Sequence, residues 1–413
     1  MSIRWITPLL GTAPALLVRQ EVGMNIIDVR DLVDKSGNRA DAVRQKITQG
    51  CESLREGRKT VVCCDYGISR SNAVAVGILA MYESISFEAS VRRVLEATGE
   101  KEIKVDPLQA VRSALGEDQK KIHHGKFRIL MTGGNGFLGE PIKQKLSADF
   151  EVFSPGRSEL DIQQGSTQLN LVVGEKNIDC IIHLANPRIY TSNIALGDTL
   201  TMLRNVLDVC VARDIKLIYL SSWEVYSGYR SSHLVADESL PLFPKGPYAE
   251  TKYLCEILIE HSRRTQELRC TMLRSSPVYG VGSDKPKFIY NFINKIKQSQ
   301  RIVTHRYNNG LPSLDLLYVD DLVEAVSLVV SSDFSGNLNI GTGVVNSTYK
   351  MAEILRDLLG GRNEIDTTRI DSDTACIAID AGKAQKVLGW QAKIGLENGF
   401  RLILSYSDTA IFD

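Results

Sequence analysis

Short apolar runs alternate with helix-period apolar stripes along nearly the whole chain. Asn25–Val29 is a short apolar run that predicts a strand. Val43, Ile47, Cys51 and Leu54 follow at helical spacing and predict an amphipathic helix over about residues 38–56. Thr60–Cys63 reads as a buried strand and Ser71–Tyr82 as an almost wholly apolar helix. Phe87, Val91, Val94 and Leu95 mark another helix. Asp106-Pro107 reads as a cap followed by proline at the first helical position, opening a helix toward Leu115.

The polar stretch Gly116–Gly125 interrupts this pattern. Beyond it, Phe127–Met131, Glu151–Ser154, Cys180–Ala185, Leu217–Ser221 and Cys270–Leu273 are strand candidates separated by helical or loop segments. Such alternation predicts a parallel, doubly wound sheet. Each side of the polar stretch carries its own glycine-containing loop, which predicts two α/β domains, 1–118 and 127–413, joined by a linker at 119–126. No internal repeat or low-complexity tract is present.

Composition narrows the function classes. Lys plus Arg equals Asp plus Glu, 49 each, so no basic excess points to nucleic acid. No apolar run approaches the roughly 20 residues of a membrane span. Pro8 and Pro14 break the apolar start of the chain, which argues against a signal peptide. The eight cysteines form no C-x-x-C or His/Cys cluster, so neither a metal site nor a disulfide framework is expected. A reducing, cytoplasmic compartment fits.

The first candidate site is Cys64-Asp-Tyr-Gly-Ile-Ser-Arg70, a C-x5-R loop between a buried strand and an apolar helix. Backbone N–H groups of such a loop converge on a phosphate, helped by the helix N-terminus. The same field favours thiolate, so Cys64 can attack phosphorus. Arg70 offers a bidentate fork, Gly67 allows the tight path, and Ser71 can hydrogen-bond the sulfur. The plainer alternative is a buried thiol and an arginine at a helix end. Val61–Tyr82, with the opening Trp5-Ile-Thr-Pro-Leu-Leu-Gly11, resembles the cysteine-dependent dual-specificity phosphatases over roughly residues 1–118. The resemblance implies an aspartic acid that protonates the leaving oxygen. Asp34 fits that place best and Asp31 second. Cys63 stands where that family has histidine.

The second site begins at Thr132-Gly-Gly-Asn-Gly-Phe-Leu-Gly139. Gly133, Gly136 and Gly139 follow a strand and open a helix, the order a dinucleotide pyrophosphate requires; Asn135, Phe137 and Leu138 complete the loop. Far downstream, Tyr248 and Lys252 stand four apart and share a helical face. A lysine cation beside a phenol favours its ionised form and readies it to move a proton. Lys252 can also bond cofactor ribose, and Ser222 ends a strand where it can meet the substrate oxygen. These residues resemble the extended short-chain dehydrogenase/reductases of the epimerase and dehydratase branch. Also matching are His183-Leu184-Ala185, Leu273-Arg274, Val278-Tyr-Gly280, Tyr318-Val-Asp-Asp321 and Asn339-Ile-Gly-Thr-Gly343. The resemblance implies a Rossmann domain with a smaller C-terminal substrate-binding region, NAD(P) held also by Leu184 and Ala185, and a homodimer. It also pairs Asp161-Ile162 with adenine.

Departures refine the expected reaction. Trp223 replaces the acid that dehydratases of this branch place after the active hydroxyl, so 4,6-dehydration is not expected. Leu314 replaces an arginine that clamps substrate diphosphate in many epimerases, leaving Arg274 or Arg306 as substitutes. Arg157, with no carboxylate at the end of the second strand, tilts cofactor choice toward NADP(H). The expectation is a bifunctional enzyme that hydrolyses a phosphomonoester and reduces or epimerises a sugar or nucleotide-sugar substrate. Two alternatives stay open: a protein phosphatase regulated by a nicotinamide-sensing module, and a reductase or epimerase with a non-catalytic phosphate-binding domain.

Overall fold

Lys59–Cys64 is buried from Thr60 onward. Its lack of polar alternation follows from its place inside a sheet, between Leu10–Pro14 and Met24–Asp28, parallel to both. The computed structural model describes residues 3–18, 23–117, 125–187, 192–231, 233–283 and 285–409. Of the linker expected at 119–126, residues 119–124 lie outside the described residues. The chain divides into two units. The first comprises Met1–Lys126, Arg157–Ile178 and Arg204–Asp214, so two stretches from beyond the polar linker cluster with the N-terminal region. The second comprises Phe127–Gly156, Asp179–Leu203 and Ile215–Asp413.

In the first unit the helix Arg70–Glu83 is buried from Ser71 to Ala80. Helices Ala40–Arg55, Phe87–Thr98 and Val105–Leu115 surround it, which explains why its sequence shows no polar stripe. The last of these starts before the expected cap. Lys104 is its N-cap, and Asp106 and Pro107 lie inside the first turn. Proline is tolerated there because the first-turn N–H groups have no intrahelical acceptor.

The second unit contains a six-stranded parallel sheet of Arg128–Thr132, Glu151–Phe153, Cys180–His183, Lys216–Ser222, Cys270–Ser275 and Gly336–Ile340. Counted along the chain, its spatial order is 6-5-4-3-1-2. The direction of winding changes between the first and third strands, which opens a crevice at their carboxyl ends. The sixth strand was not among the sequence candidates; its signal is four residues, Asn337–Ile340, following a glycine of positive φ. A smaller four-stranded sheet joins Val345–Ser347, Ser313–Asp315, Cys376–Ile379 and Leu234–Ala236.

Two family-like motifs turn out to be staples. Asp315 accepts the N–H groups of Thr342, Gly343 and Ile379 at 2.9–3.0 Å, and the Thr342 hydroxyl at 2.6 Å. Asp321 accepts Lys393 and Ile394 N–H at 3.0 Å. Both carboxylates are buried and satisfy backbone donors that would otherwise be orphaned.

Candidate active sites

In the first unit the signature strand delivers Cys64 to the start of the loop with 3 % of its surface exposed. The Gly67 N–H donates to Cys64 Sγ at 3.2 Å, and Ser71 Oγ lies 3.4 Å from the same sulfur. Gly67 has φ +68°, and a Cβ there would stand 2.4 Å from the backbone of Ala13 and Pro14, so no other residue closes the loop this way. Burial pushes the Cys64 thiol up. Hydrogen bonds from Ser71 side chain and backbone, Gly67 and Ile68 outweigh it, and the thiol is held below its ordinary value. Cys63, one residue earlier, has no such donors. Burial, with Asp28 adding to it, pushes that thiol up to about 11.

Arg70 Nη1 donates to the carbonyls of Leu32 at 2.9 Å and Arg30 at 3.3 Å, and Nη2 pairs with Asp65. The guanidinium therefore ties the Cys64–Arg70 loop to the segment that carries both acid candidates. Asp34 pairs with Lys104, its Oδ1 is buried without a hydrogen-bond partner, and its charge acts on Arg70. Asp31 pairs with Lys46 at 3.1 Å and is 59 % exposed. Of the two carboxylates, Asp34 is the one linked electrostatically to the signature arginine.

In the second unit the glycine loop folds against the end of the third sheet strand. Gly133 has φ +74°, and a Cβ on it would meet Ala185 N at 2.7 Å. Asn135 and Phe137 lie in the loop, while Leu138 caps and Gly139 opens the helix Gly139–Leu146. Thr132 Oγ1 lies 2.7 Å from His183 Nδ1 and accepts Ala185 N–H at 3.4 Å. His183 Nε2 is buried without a partner. Burial, with the Lys252 charge adding to it, pushes this imidazole down to about 3, so it is neutral at physiological pH. Gly133 and Gly139 are closed against backbone, and Gly134 against the Ser154 side chain, so the loop leaves no room for a Cβ at any of the three. Arg157, Asp161 and Ile162 fall in the stretch that clusters with the first unit. Arg157 is 75 % exposed, approaches Asp161 at 3.4 Å and donates to Gln163 at 2.9 Å.

Tyr248 and Lys252 start the helix Pro247–Gln266, with proline at its first position. Lys252 Nζ donates to Leu220 O at 2.8 Å and Tyr219 OH at 3.3 Å, and lies 5.7 Å from the Tyr248 ring centre. Burial lowers its proton affinity while nearby Cys255, Glu256 and Glu224 oppose the loss. Ser222 caps the short helix Trp223–Tyr226, its Oγ accepting Glu224 N–H at 3.2 Å. Behind these groups lies a network that motif reading missed. Glu256, one turn after Lys252, accepts the Ser221 hydroxyl and is paired with Arg274 at 2.7 Å; both side chains are 4 % exposed. Arg274 also donates to Tyr226 OH at 2.7 Å, and Tyr226 OH bonds Asn339 Oδ1 at 3.1 Å. Arg274 is thus committed internally, which corrects the expectation that it substitutes for the arginine absent at Leu314. Sequence spacing does offer a signal for Glu256: it continues the 248–252 face by one more turn.

A cavity of about 270 Å³ is lined among others by Trp223 and Glu224, which follow Ser222 in the chain, and by Arg230, Lys245, Leu314 and Thr348; Ser222, Tyr248 and Lys252 are not in its lining. A larger one of about 610 Å³, between Gly341–Val344 and Trp390–Leu396, contains none of the expected site residues. All eight cysteines are unpaired and buried. No helix among the described residues is long and apolar enough to cross a membrane.

The sequence profile described as the NAD dependent epimerase/dehydratase family matches residues 129–341. A protein of Methanocaldococcus jannaschii provisionally named UDP-glucose 4-epimerase is 28 % identical over 304 residues, covering 67 % of this chain and 97 % of the relative. UDP-glucuronic acid decarboxylase 1 of Xenopus tropicalis is 25 % identical over 304 residues, covering 68 % and 72 %. The crystal structure of Thermus thermophilus UDP-glucose 4-epimerase in complex with NAD superimposes with TM-score 0.60 at 22 % identity, covering 69 % of this chain and all of that one. At that identity the likeness is one of fold.

Proposed function

Because the chain belongs to the NAD dependent epimerase/dehydratase family, we propose that its second unit binds NAD(P) at Gly133–Gly139 and reduces or epimerises a nucleotide-linked sugar. The observation that carries this reading is Lys252 Nζ, held at 2.8 Å by Leu220 O at the carboxyl edge of the sheet, on the helix that bears Tyr248 and two residues from Ser222. The nicotinamide, when bound, supplies hydride transfer. Tyr248 exchanges the proton of the reacting hydroxyl, and Ser222 Oγ holds that oxygen. An ammonium has three N–H donors; two of those of Lys252 are engaged by Leu220 and Tyr219, which leaves one for a ribose hydroxyl. Its charge, kept in a dry setting, favours the phenolate that forms as Tyr248 gives up its proton. Trp223 stands at the position where dehydratases of this branch carry the acid that protonates a departing hydroxyl, and among the described residues Glu224 is the only carboxyl lining the adjacent cavity; the missing acid at 223 favours epimerisation or reduction over dehydration. Arg157 favours NADP(H). The relatives' names make uridine diphosphate sugars the first substrates to try.

A second reaction is favoured by the lowered Cys64 thiol. The thiolate attacks phosphorus, an S–P bond forms as the P–O bond breaks, and Asp34 protonates the leaving oxygen. Water then releases phosphate from sulfur, with Ser71 assisting its departure. The substrate class for this unit is a phosphomonoester. The test has two arms. Mass spectrometry of the denatured protein, with titration of NADH and NADPH, reads the dinucleotide; a chain that neither retains nor binds either one defeats the redox proposal. Hydrolysis of p-nitrophenyl phosphate by wild type and by Cys64→Ser reads the thiol; absence of a wild-type rate leaves the first unit as a phosphate-binding module.

A further inference from the structure

The cavity lined by Trp223 and Glu224 holds two cations that the proton-transfer set does not use. Arg230 and Lys245 both line it, both are exposed, and neither side chain has an acidic partner among the described residues. The one carboxylate in the lining is Glu224, which burial drives toward its neutral form against the pull of Lys252. Leu314, at the place where an arginine was expected, also lines the cavity, and Thr348 Oγ1 is buried without a partner. The cavity therefore combines positive charge and an unused hydroxyl with apolar lining.

The backbone that carries Lys245 is tied to the segment that follows Ser222. Lys245 N donates to Ser227 Oγ at 3.0 Å, Phe243 N to Val225 O at 2.9 Å and Gly228 N to Phe243 O at 2.6 Å. These bonds stitch the segment before Tyr248 to the short helix that Ser222 caps. Arg230 follows that helix by four residues, and Lys245 precedes Tyr248 by three. Both cations are thus close along the chain to Ser222 and Tyr248, at the end of the site where a sugar would react.

We propose that Arg230 and Lys245 form an oxyanion handle for the substrate. Their attachment favours a carboxylate on the sugar over the diphosphate, the other group with the same chemistry. A cation pair that is hydrated at rest gives up less solvation on binding than a buried pair, so exposure suits the role. Arg supplies a planar fork for two oxygens and Lys a point charge. The proposal rests on the nucleotide-sugar reading of the second unit, and its test separates the two.

Binding of UDP, UDP-glucose and UDP-glucuronate to the whole chain is measured by calorimetry, for wild type, Arg230→Ala, Lys245→Ala and the double variant. A charged hydrogen bond contributes enough for about a tenfold change in affinity. The expected result is a loss of at least about tenfold for UDP-glucuronate in the double variant, with UDP-glucose nearly unchanged and Lys245→Arg retaining most of the wild-type affinity. Equal weakening of all three ligands, abolished at high salt, supports the handle and assigns it to the diphosphate. Unchanged binding of all three by a folded double variant overturns the handle and leaves the redox proposal standing. A wild type that binds none of them overturns the handle together with the nucleotide-sugar reading, while dinucleotide binding, measured separately, still reports on the cofactor site. Both substitutions are at exposed positions, and thermal melts verify folding.

Discussion

The two candidate sites hang from the ends of buried parallel strands, yet they use burial in opposite ways. At Cys64, burial alone would silence the thiol, and donors from Gly67, Ile68 and Ser71 reverse the effect. At Cys63, on the same strand and equally dry, nothing reverses it and the thiol rises to about 11. In the second unit burial prevails around the proton-transfer set: His183 is driven to about 3, Glu224 upward and Lys252 downward. The first site concentrates negative charge on one sulfur. At the second, burial works against the charged forms of His183, Glu224 and Lys252 alike. Burial by itself decides the second site but not the first, where aligned donors outweigh it.

The largest test of this contrast removes one reacting atom from each site. Cys64→Ser is expected to lower phosphomonoester hydrolysis by about a thousandfold or more, since a serine hydroxyl is not ionised by the same donors. Tyr248→Phe is expected to lower nicotinamide-linked turnover by about a hundredfold to ten-thousandfold, the usual share of a positioned acid–base group. Each rate is followed spectrophotometrically in both variants. Comparable loss of both reactions in either variant would mean that the sites do not act separately.

Next comes the buried pair behind the second site. Glu256→Gln leaves Arg274 buried without its counter-charge, and loss of one partner of such a pair costs about 3–5 kcal/mol. Urea denaturation followed by fluorescence of Trp223 and Trp390 reads that loss. A cost below about 1 kcal/mol would show that Tyr226 and Ser221 compensate, and that the network does not hold the tyrosine helix against the Ser222 strand.

How much of this was legible in the sequence depended on whether the information was local. Cys64, Gly67 and Ser71 are close along the chain, and their hydrogen bonds follow the loop that their order implies. The glycine loop is equally local. Strands were readable where they carry consecutive apolar residues, as Val61–Cys64 in Lys59–Cys64 and Met272-Leu273 in Cys270–Ser275. Gly336–Ile340 was not, because two asparagines sit in it; Asn339 is buried, its side chain satisfied by Ala236 O and Tyr226 OH from far along the chain. The Glu256–Arg274–Tyr226 network was hidden for the same reason, being assembled from three elements. The Asp106-Pro107 pair misled by two residues because proline fits several first-turn positions, not only the first. Arg274 misled because its charge gave no hint of the glutamate that claims it.

His183 gives a smaller, graded effect. Its ordinary value is 6.5 and its folded value about 3. Between these, the unfolded chain binds a proton that the folded chain refuses. This contribution to stability is therefore complete above pH 6.5 and is lost as pH falls toward 3, by at most about 1.4 kcal/mol per pH unit. His183→Gln should flatten the acid limb of a stability–pH curve in that window. An unchanged limb would mean that the imidazole is protonated in the folded state and that its surroundings are more polar than the buried Nε2 indicates.

The smallest effect isolates the donors at the first site. Ser71→Ala removes one hydrogen bond to Cys64 Sγ while leaving the Gly67 N–H in place. Thiolate should then form at higher pH, by about one unit if a single charge-assisted bond is lost. The pH profile of iodoacetamide alkylation, followed by peptide mass spectrometry at Cys64, should move upward by that amount. Cys63→Ala serves as the contrast: its thiol faces away from the donors and stays protonated, so the Cys64 profile should not move. A shift produced by Cys63→Ala and not by Ser71→Ala would place the control of the sulfur in the strand rather than in the loop, and the contrast between the two neighbouring cysteines would have to be drawn the other way round.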